Sequence, residues 1–415
     1  MSRRRLLGGG AAPGGGGGVA GVGGGGGRGG RPPGAGAAGV AGIGWGAARA
    51  GQARPEADSG LAVEPFYGLH QGGVATVPQR HAAFVGFDLK PGTGRADITG
   101  LLRIWSGDAG RLTAGRPALA DTEPELAARP ARLTVTIGFG PGLFTVAGLE
   151  SARPSWLRPL PGFGIDRLDP AWCAGDLLLQ VCADEVTTVS HAVRVLSKSV
   201  ASLVSVRWVQ RGFRDAPRGQ TMRNLMGQVD GTVNLVPGSA EFDRLVWDDG
   251  GARAWLAGGT SLVLRRIAMN LDTWDELDAD GRELSVGRRI ATGAPLTGGG
   301  EFDEPDFAAV DRFGIPVIPP SAHIARAHHT SAGERFLRRG YNYDDPPAPG
   351  STSNSGLLFA AYQRDVEAQF LPVQRRLAEF DALNTWTTPI GSAVFAVPPG
   401  VADARGYVGQ SLFEG

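Results

Sequence analysis

Cysteine is nearly missing from this 415-residue chain, which has only Cys173 and Cys182. Two thiols exclude a disulfide scaffold and a cysteine-ligated zinc site, though the two could still be joined to each other. Cys182 sits in an apolar, strand-like run and reads as a buried, inert thiol. An excess of one charge is missing too: Lys+Arg and Asp+Glu both number 41. With no basic field, neither nucleic acid nor an anionic membrane is an expected partner. Outside the N-terminal leader no apolar run reaches the roughly 18 residues a spanning helix needs, so no stable membrane insertion is expected. No His-Glu-x-x-His pair occurs, which excludes that class of metalloprotease.

Glycine is abundant, 66 in all, and 22 of these fall in the first 50 residues. The same segment has no acidic residue before Glu56 and opens "MSRRRLLGGG". The paired Arg3 and Arg4 followed by Leu6 and Leu7 resemble a twin-arginine export signal, despite Arg28 and Arg31 in its apolar stretch. The reading assigns 1–57 to a signal and glycine-rich linker, and the mature protein to the periplasm, the cell surface or the medium. Matches to G-x-G-x-x-G inside the glycine run follow no strand and do not mark a nucleotide loop.

The rest shows one pattern twice, on apolar content of 42%. Strand-like runs at 81–89, 132–140, 176–184 and 202–213 alternate with helical spacing at 96–107 and 186–200, giving the order βαββαβ. The second half repeats it more loosely. Strands are expected at 260–271, 336–343, 356–363 and 392–398, with a helix carrying Trp274 and another at 366–380. The fold class is therefore α+β, with two ferredoxin-like domains, 58–222 and 223–415, packed sheet to sheet. A ligand would sit in the inter-sheet space or in a pocket of the C-terminal domain. Trp255, Trp274 and Trp386 read as packing residues.

The stretch from 285 to 335 does not fit the repeat, and long irregular insertions are commonly functional or disordered. It holds three of the six histidines, His323, His328 and His329. Helical spacing puts the last two on a different face from His323. Further on, "LRRGYNY" places Arg338 and Arg339 on a strand, where neighbours face opposite ways. One should enter the interior, where it needs an anion or a carboxylate. The "NLMGQVDGTVN" stretch (224–234) supplies Asp230. Its Asp-Gly pair is a strong hairpin-corner signal, while the alternative is a loop built to aim a carboxylate.

"GQVDG" (227–231) matches the G-x-x-D-G motif of the dye-decolorising peroxidases, haem enzymes with two ferredoxin-like domains. "FYGLHQGGVATVPQ", "TIGFGPGLF", "WLAGGTSLVLRRI", "GRRIATGAPL", "AHI", "LRRGYNY" and "GSAVFAVPPG" are similar to the family's pattern and follow its order from about residue 60 onward. With the leader, the chain resembles the exported branch that includes deferrochelatase/peroxidases. The resemblance implies haem b, with His323 as proximal iron ligand, Asp230 as distal acid/base and Arg338 as the distal charge stabiliser. It further implies Asp381 as the carboxylate behind the imidazole, Thr232 and Asn234 along the haem edge, and Leu357 and Phe359 as apolar walls. An aspartate of ordinary pKa, about 3.9, would favour acidic working conditions. Two departures stand out: Ala325 replaces a common arginine, displaced to Arg326, and the loop from His323 to Arg338 is short. If that loop rearranged, His328 or His329 would compete as ligand.

The function implied is reduction of hydrogen peroxide with oxidation of an organic electron donor such as a dye or phenol. The alternative is a deferrochelatase that removes iron from haem and leaves the porphyrin intact. A haem carrier would need neither the acid nor the arginine. An exposed Tyr or Trp would relay electrons from bulky donors, with Tyr343 and Tyr407 as candidates. A homo-oligomer and iron-uptake partners are compatible with this resemblance.

Overall fold

The computed structural model describes residues 59–216, 220–347 and 349–415. The leader and its twin-arginine pattern lie outside the described residues.

The first half runs β1 (His81–Leu89), α1 (Arg95–Leu112), β2 (Thr134–Phe139), β3 (Leu177–Ala183), α2 (Val186–Ser199) and β4 (Val204–Phe213). Helix α1 forms where Asp97 Oδ2 accepts the Gly94 amide, half of a reciprocal cap, and its apolar residues recur at three- and four-residue spacing. Strand β2 starts two residues later than the sequence suggests, because Ala131 and Arg132 adopt positive φ and turn the chain. A two-residue ribbon follows, β5 (Met222–Arg223) with β6 (Val229–Asp230).

The second half runs β7 (Thr260–Met269), α3 (Leu271–Asp275), α4 (Ala279–Val286), α5 (His323–Ala327), β8 (Leu337–Arg338), β9 (Tyr341–Asp344), β10 (Ser355–Gln363), α6 (Leu371–Phe380) and β11 (Thr387–Val397). The run expected as one strand at 336–343 divides into β8 and β9. The helix expected at 366–380 opens with a π turn, Val366–Phe370.

Nine strands form one sheet in the order β7-β11-β2-β3-β1-β4-β9-β10-β8, and β7 also pairs with β10. Each half thus keeps ferredoxin-like strand order. The halves join at both edges through Phe213↔Asn342 and Ala396↔Phe139, and the described residues form one compact unit.

Strand alternation sorts the side chains. Leu358, Ala360 and Tyr362 of β10 face inward, sharing a core with Phe84, Leu178 and Phe395 from the other strands. The space between the halves is therefore filled. Leu357 and Phe359 face the other way, against Met269, Trp274 and Leu383. That helix-covered face of the C-terminal half is where the candidate residues gather. Cys173 and Cys182 are unpaired, and burial pushes the Cys182 thiol pKa up, as an inert thiol requires.

Candidate active site

The ribbon sets Asp230. The hairpin corner is not at Asp230-Gly231: it lies at 224–228, where Asn224 Oδ1 accepts the amides of Met226 and Gln228 and Gly227 takes φ +82°. Asp230 stands on the outgoing strand opposite Met222. Its Oδ1 faces Arg338 at 3.4 Å and its Oδ2 faces the Asn224 amide at 3.4 Å. Both contacts are long, and the carboxylate is partly open.

Register sets the arginines. Arg338 lies opposite Ala361, on the same face of the sheet as Leu357 and Phe359. Arg339 turns inward and is 1% exposed. The expected alternation holds, but the expected carboxylate partner does not. Arg339 donates to the Thr76 carbonyl and the Gln79 side-chain oxygen. Arg338 is held in three places: its side chain donates to the Val233 carbonyl at 2.9 Å, and its main-chain N–H and C=O meet both ends of the Asn234 amide at 2.9 and 2.8 Å. Asn234 thus substitutes for a neighbouring strand.

His323 opens α5, beside the end of α6. Its Nδ1 meets Asp381 Oδ2 at 2.6 Å. Asp381 follows the last residue of α6, and its Oδ1 caps the next short helix by accepting the Leu383 amide at 2.9 Å. Withdrawal from water opposes charge on the imidazole, yet the Asp381 carboxylate outweighs it and raises the His323 pKa. The Asp230 carboxylate adds to that rise and the Arg338 guanidinium opposes it, so the charges of both bear on this ring. The His323 side chain is 34% exposed, and among the described residues no hydrogen bond engages its Nε2.

These residues fit a haem. An imidazole fixed through Nδ1 would leave Nε2 as an iron donor, the carboxylate behind it would make that donor electron-rich, and Leu357 and Phe359 would offer it apolar wall. His328 and His329 lie past the end of α5, stacked on one another at 4.6 Å. Arg326 is engaged with the Arg376 carbonyl and Glu379 of α6. The short loop is fastened from the same helix, since Arg376 reaches the His328 carbonyl and Glu334. Thr232 does not stand free: its hydroxyl donates to Glu301 at 2.9 Å. Tyr343 and Tyr407 are both buried, which corrects their reading as exposed relay residues.

Sequence reasoning missed Glu301, Arg223 and Asn224 around the ribbon. The only signal for Glu301 was the length of the insertion that holds it, whereas Arg223 and Asn224 adjoin or open the 224–234 stretch itself. Elsewhere among the described residues, Asp121, Glu123 and His191 bring donor atoms within 4.8 Å of one another. There Arg194 already takes Glu123, at 2.5 Å, and Asp121 is bonded to His191 at 2.9 Å.

Family models described as "Dyp-type peroxidase, N-terminal" and "Dyp-type peroxidase, C-terminal" match residues 71–214 and 221–402. A dye-decolorizing peroxidase of Thermobifida fusca (strain YX) is 41% identical over 336 residues, 78% of each chain. A deferrochelatase of Yersinia pestis is 38% identical over 375 residues, 85% of each. The crystal structure of a DyP-type peroxidase from Cellulomonas bogoriensis superposes with a TM-score of 0.84 at 59% identity, covering 86% of this chain and all of the other.

Proposed function

The chain belongs to the Dyp-type peroxidase family, and on that premise we propose that Asp230, Arg338, His323 and Asp381 form its active site. The single observation that carries this reading is a carboxylate-backed imidazole whose charge is felt by an acid–arginine pair from a separate ribbon and strand. The cofactor is haem b: the two cysteines are not in a C-x-x-C-H arrangement, so no thioether attachment is available. When bound, haem supplies the iron at which hydrogen peroxide is reduced.

Asp230 accepts a proton from peroxide and returns it to the departing oxygen, which leaves as water. The Arg338 guanidinium stabilises negative charge as the O–O bond opens, and its fork also aims the Asp230 carboxylate. His323 holds the cofactor through Nε2, and Asp381 fixes its tautomer by accepting the Nδ1 proton. Leu357 and Phe359 exclude water. Asn234 and Thr232 act through the loops they fasten. An organic molecule such as a dye or phenol returns the electrons.

Haem titration tests the assignment. The wild type should bind one equivalent with a sharp Soret band, and His323→Ala should not retain it; full loading of that variant would remove His323 as ligand. The relatives named deferrochelatase favour a second reading, release of iron with the porphyrin intact. Porphyrin fluorescence after incubation with haem separates the two. Export by the twin-arginine route rests on Arg3 and Arg4, and retention in the cell on their replacement by Lys tests it.

A further inference from the structure

The β5–β6 ribbon that carries Asp230 has two residue pairs, and an isolated ribbon of that size has little stability in water. Something else must hold it. Glu301, in the irregular segment after α4, reaches both of its outer ends. One oxygen, Oε1, accepts the Thr221 hydroxyl at 2.5 Å just before β5 and the Thr232 hydroxyl at 2.9 Å just after β6. Asp230 lies between these two anchors.

The latch is itself secured. Arg288, 7% exposed, donates to the main-chain carbonyls of Glu301 and Gly293 at 2.8 and 2.6 Å. Gly293 takes φ +74°, and a Cβ there would stand 3.0 Å from Val229 and 3.2 Å from Glu301. The segment therefore passes close against β6 at a point where only glycine fits. Arg223 ties the other side, donating to the carbonyls of Gly227, Ile290 and Ala291.

We propose that Glu301 is a positioning residue for the distal acid: its carboxylate joins the two ends of the ribbon and so fixes Asp230 relative to Arg338. The inference rests on the reading of Asp230 as the proton-transfer group. Hydroxyl donors to an ionised carboxylate make short, directional bonds. The direct Asp230–Arg338 contact is 3.4 Å and partly open, so it is too loose to define the geometry alone. A displacement of about 1 Å at a reacting group costs on the order of 100-fold in rate.

The test uses the haem-loaded full chain as wild type, Glu301→Ala and Glu301→Gln, with three readouts on each preparation. These are the second-order rate of the Soret change with peroxide, the thermal midpoint, and amide hydrogen exchange over 221–234. Glu301→Ala should lose on the order of 100-fold in rate with faster exchange in that segment and an unchanged haem content and midpoint. Glu301→Gln keeps an acceptor oxygen and should recover most of the loss. A Glu301→Ala rate equal to wild type, or exchange in 221–234 that does not change, overturns the inference. A wild type inert to peroxide would instead overturn the reading of Asp230, and the exchange data would still decide whether Glu301 holds the ribbon.

Discussion

Asp381 divides its carboxylate between two tasks, with Oδ2 on His323 Nδ1 at 2.6 Å and Oδ1 on the Leu383 amide at 2.9 Å. The helix end and the imidazole are therefore oriented by one side chain. Asp381→Asn keeps the size but loses the charge that makes the imidazole electron-rich. Haem affinity is expected to fall by about 10- to 100-fold, read by Soret titration, with far-ultraviolet dichroism unchanged. Wild-type affinity would mean that Asp381 serves only the helix.

Arg338→Leu removes the side chain facing Asp230 and leaves its main chain clasped by Asn234. The fold and haem content should persist. The rate of reaction with peroxide should fall by about 100- to 1,000-fold, as for loss of one charge-stabilising donor. Stopped-flow absorbance measures the rate, and the Soret-to-280 nm ratio checks loading.

Arg265 is 1% exposed and paired with Asp166. Asp166→Ala would leave a buried guanidinium without its counter-charge, at a cost of about 3–5 kcal/mol. Urea unfolding of the haem-free protein measures it. A loss under about 1 kcal/mol would show that water reaches Arg265.

Asp108 on α1 is 6% exposed, and burial pushes its carboxyl pKa up, with the neighbouring Asp121 adding to the rise. The folded chain keeps this proton over a pH range in which the unfolded chain has lost it. Its contribution to stability is complete below the unfolded value of about 3.9 and is lost as pH rises through the raised folded value. Asp108→Asn removes that loss. The melting temperature should rise by about 2 °C at pH 7 and not at pH 3; a gain of equal size at both would point to packing.

The repeated βαββαβ order was legible because apolar period and strand length are local properties. The face on which the site forms was legible only as an alternative, since nothing local shows that the two halves share edges and fill the space between them. His323, Asp230, Arg338 and Asp381 were nameable from motifs, although "VDG" suggested a corner that the structure moves to Asn224–Gln228. Glu301, Arg223 and Arg288 were not nameable. Glu301 and Arg288 act from irregular backbone, where no period exists, and the ties made by Glu301 and Arg223 cross long spans of sequence: 80 residues between Thr221 and Glu301, 67 between Arg223 and Ile290. The partner of Arg339 was misjudged for a related reason. A buried guanidinium can be satisfied by carbonyl oxygens, and sequence shows side chains only.

Proton transfer by Asp230 is read from the speed at which the haem-loaded protein reacts with peroxide. Haem-loaded wild type and Asp230→Asn are mixed with one equivalent of hydrogen peroxide in a stopped-flow absorbance instrument. A Soret shift within seconds is expected in the wild type and a rate lower by about 100-fold or more in the variant, with haem content unchanged. Equal rates in the two proteins would contradict it, and would reduce Asp230 to a structural part of its ribbon.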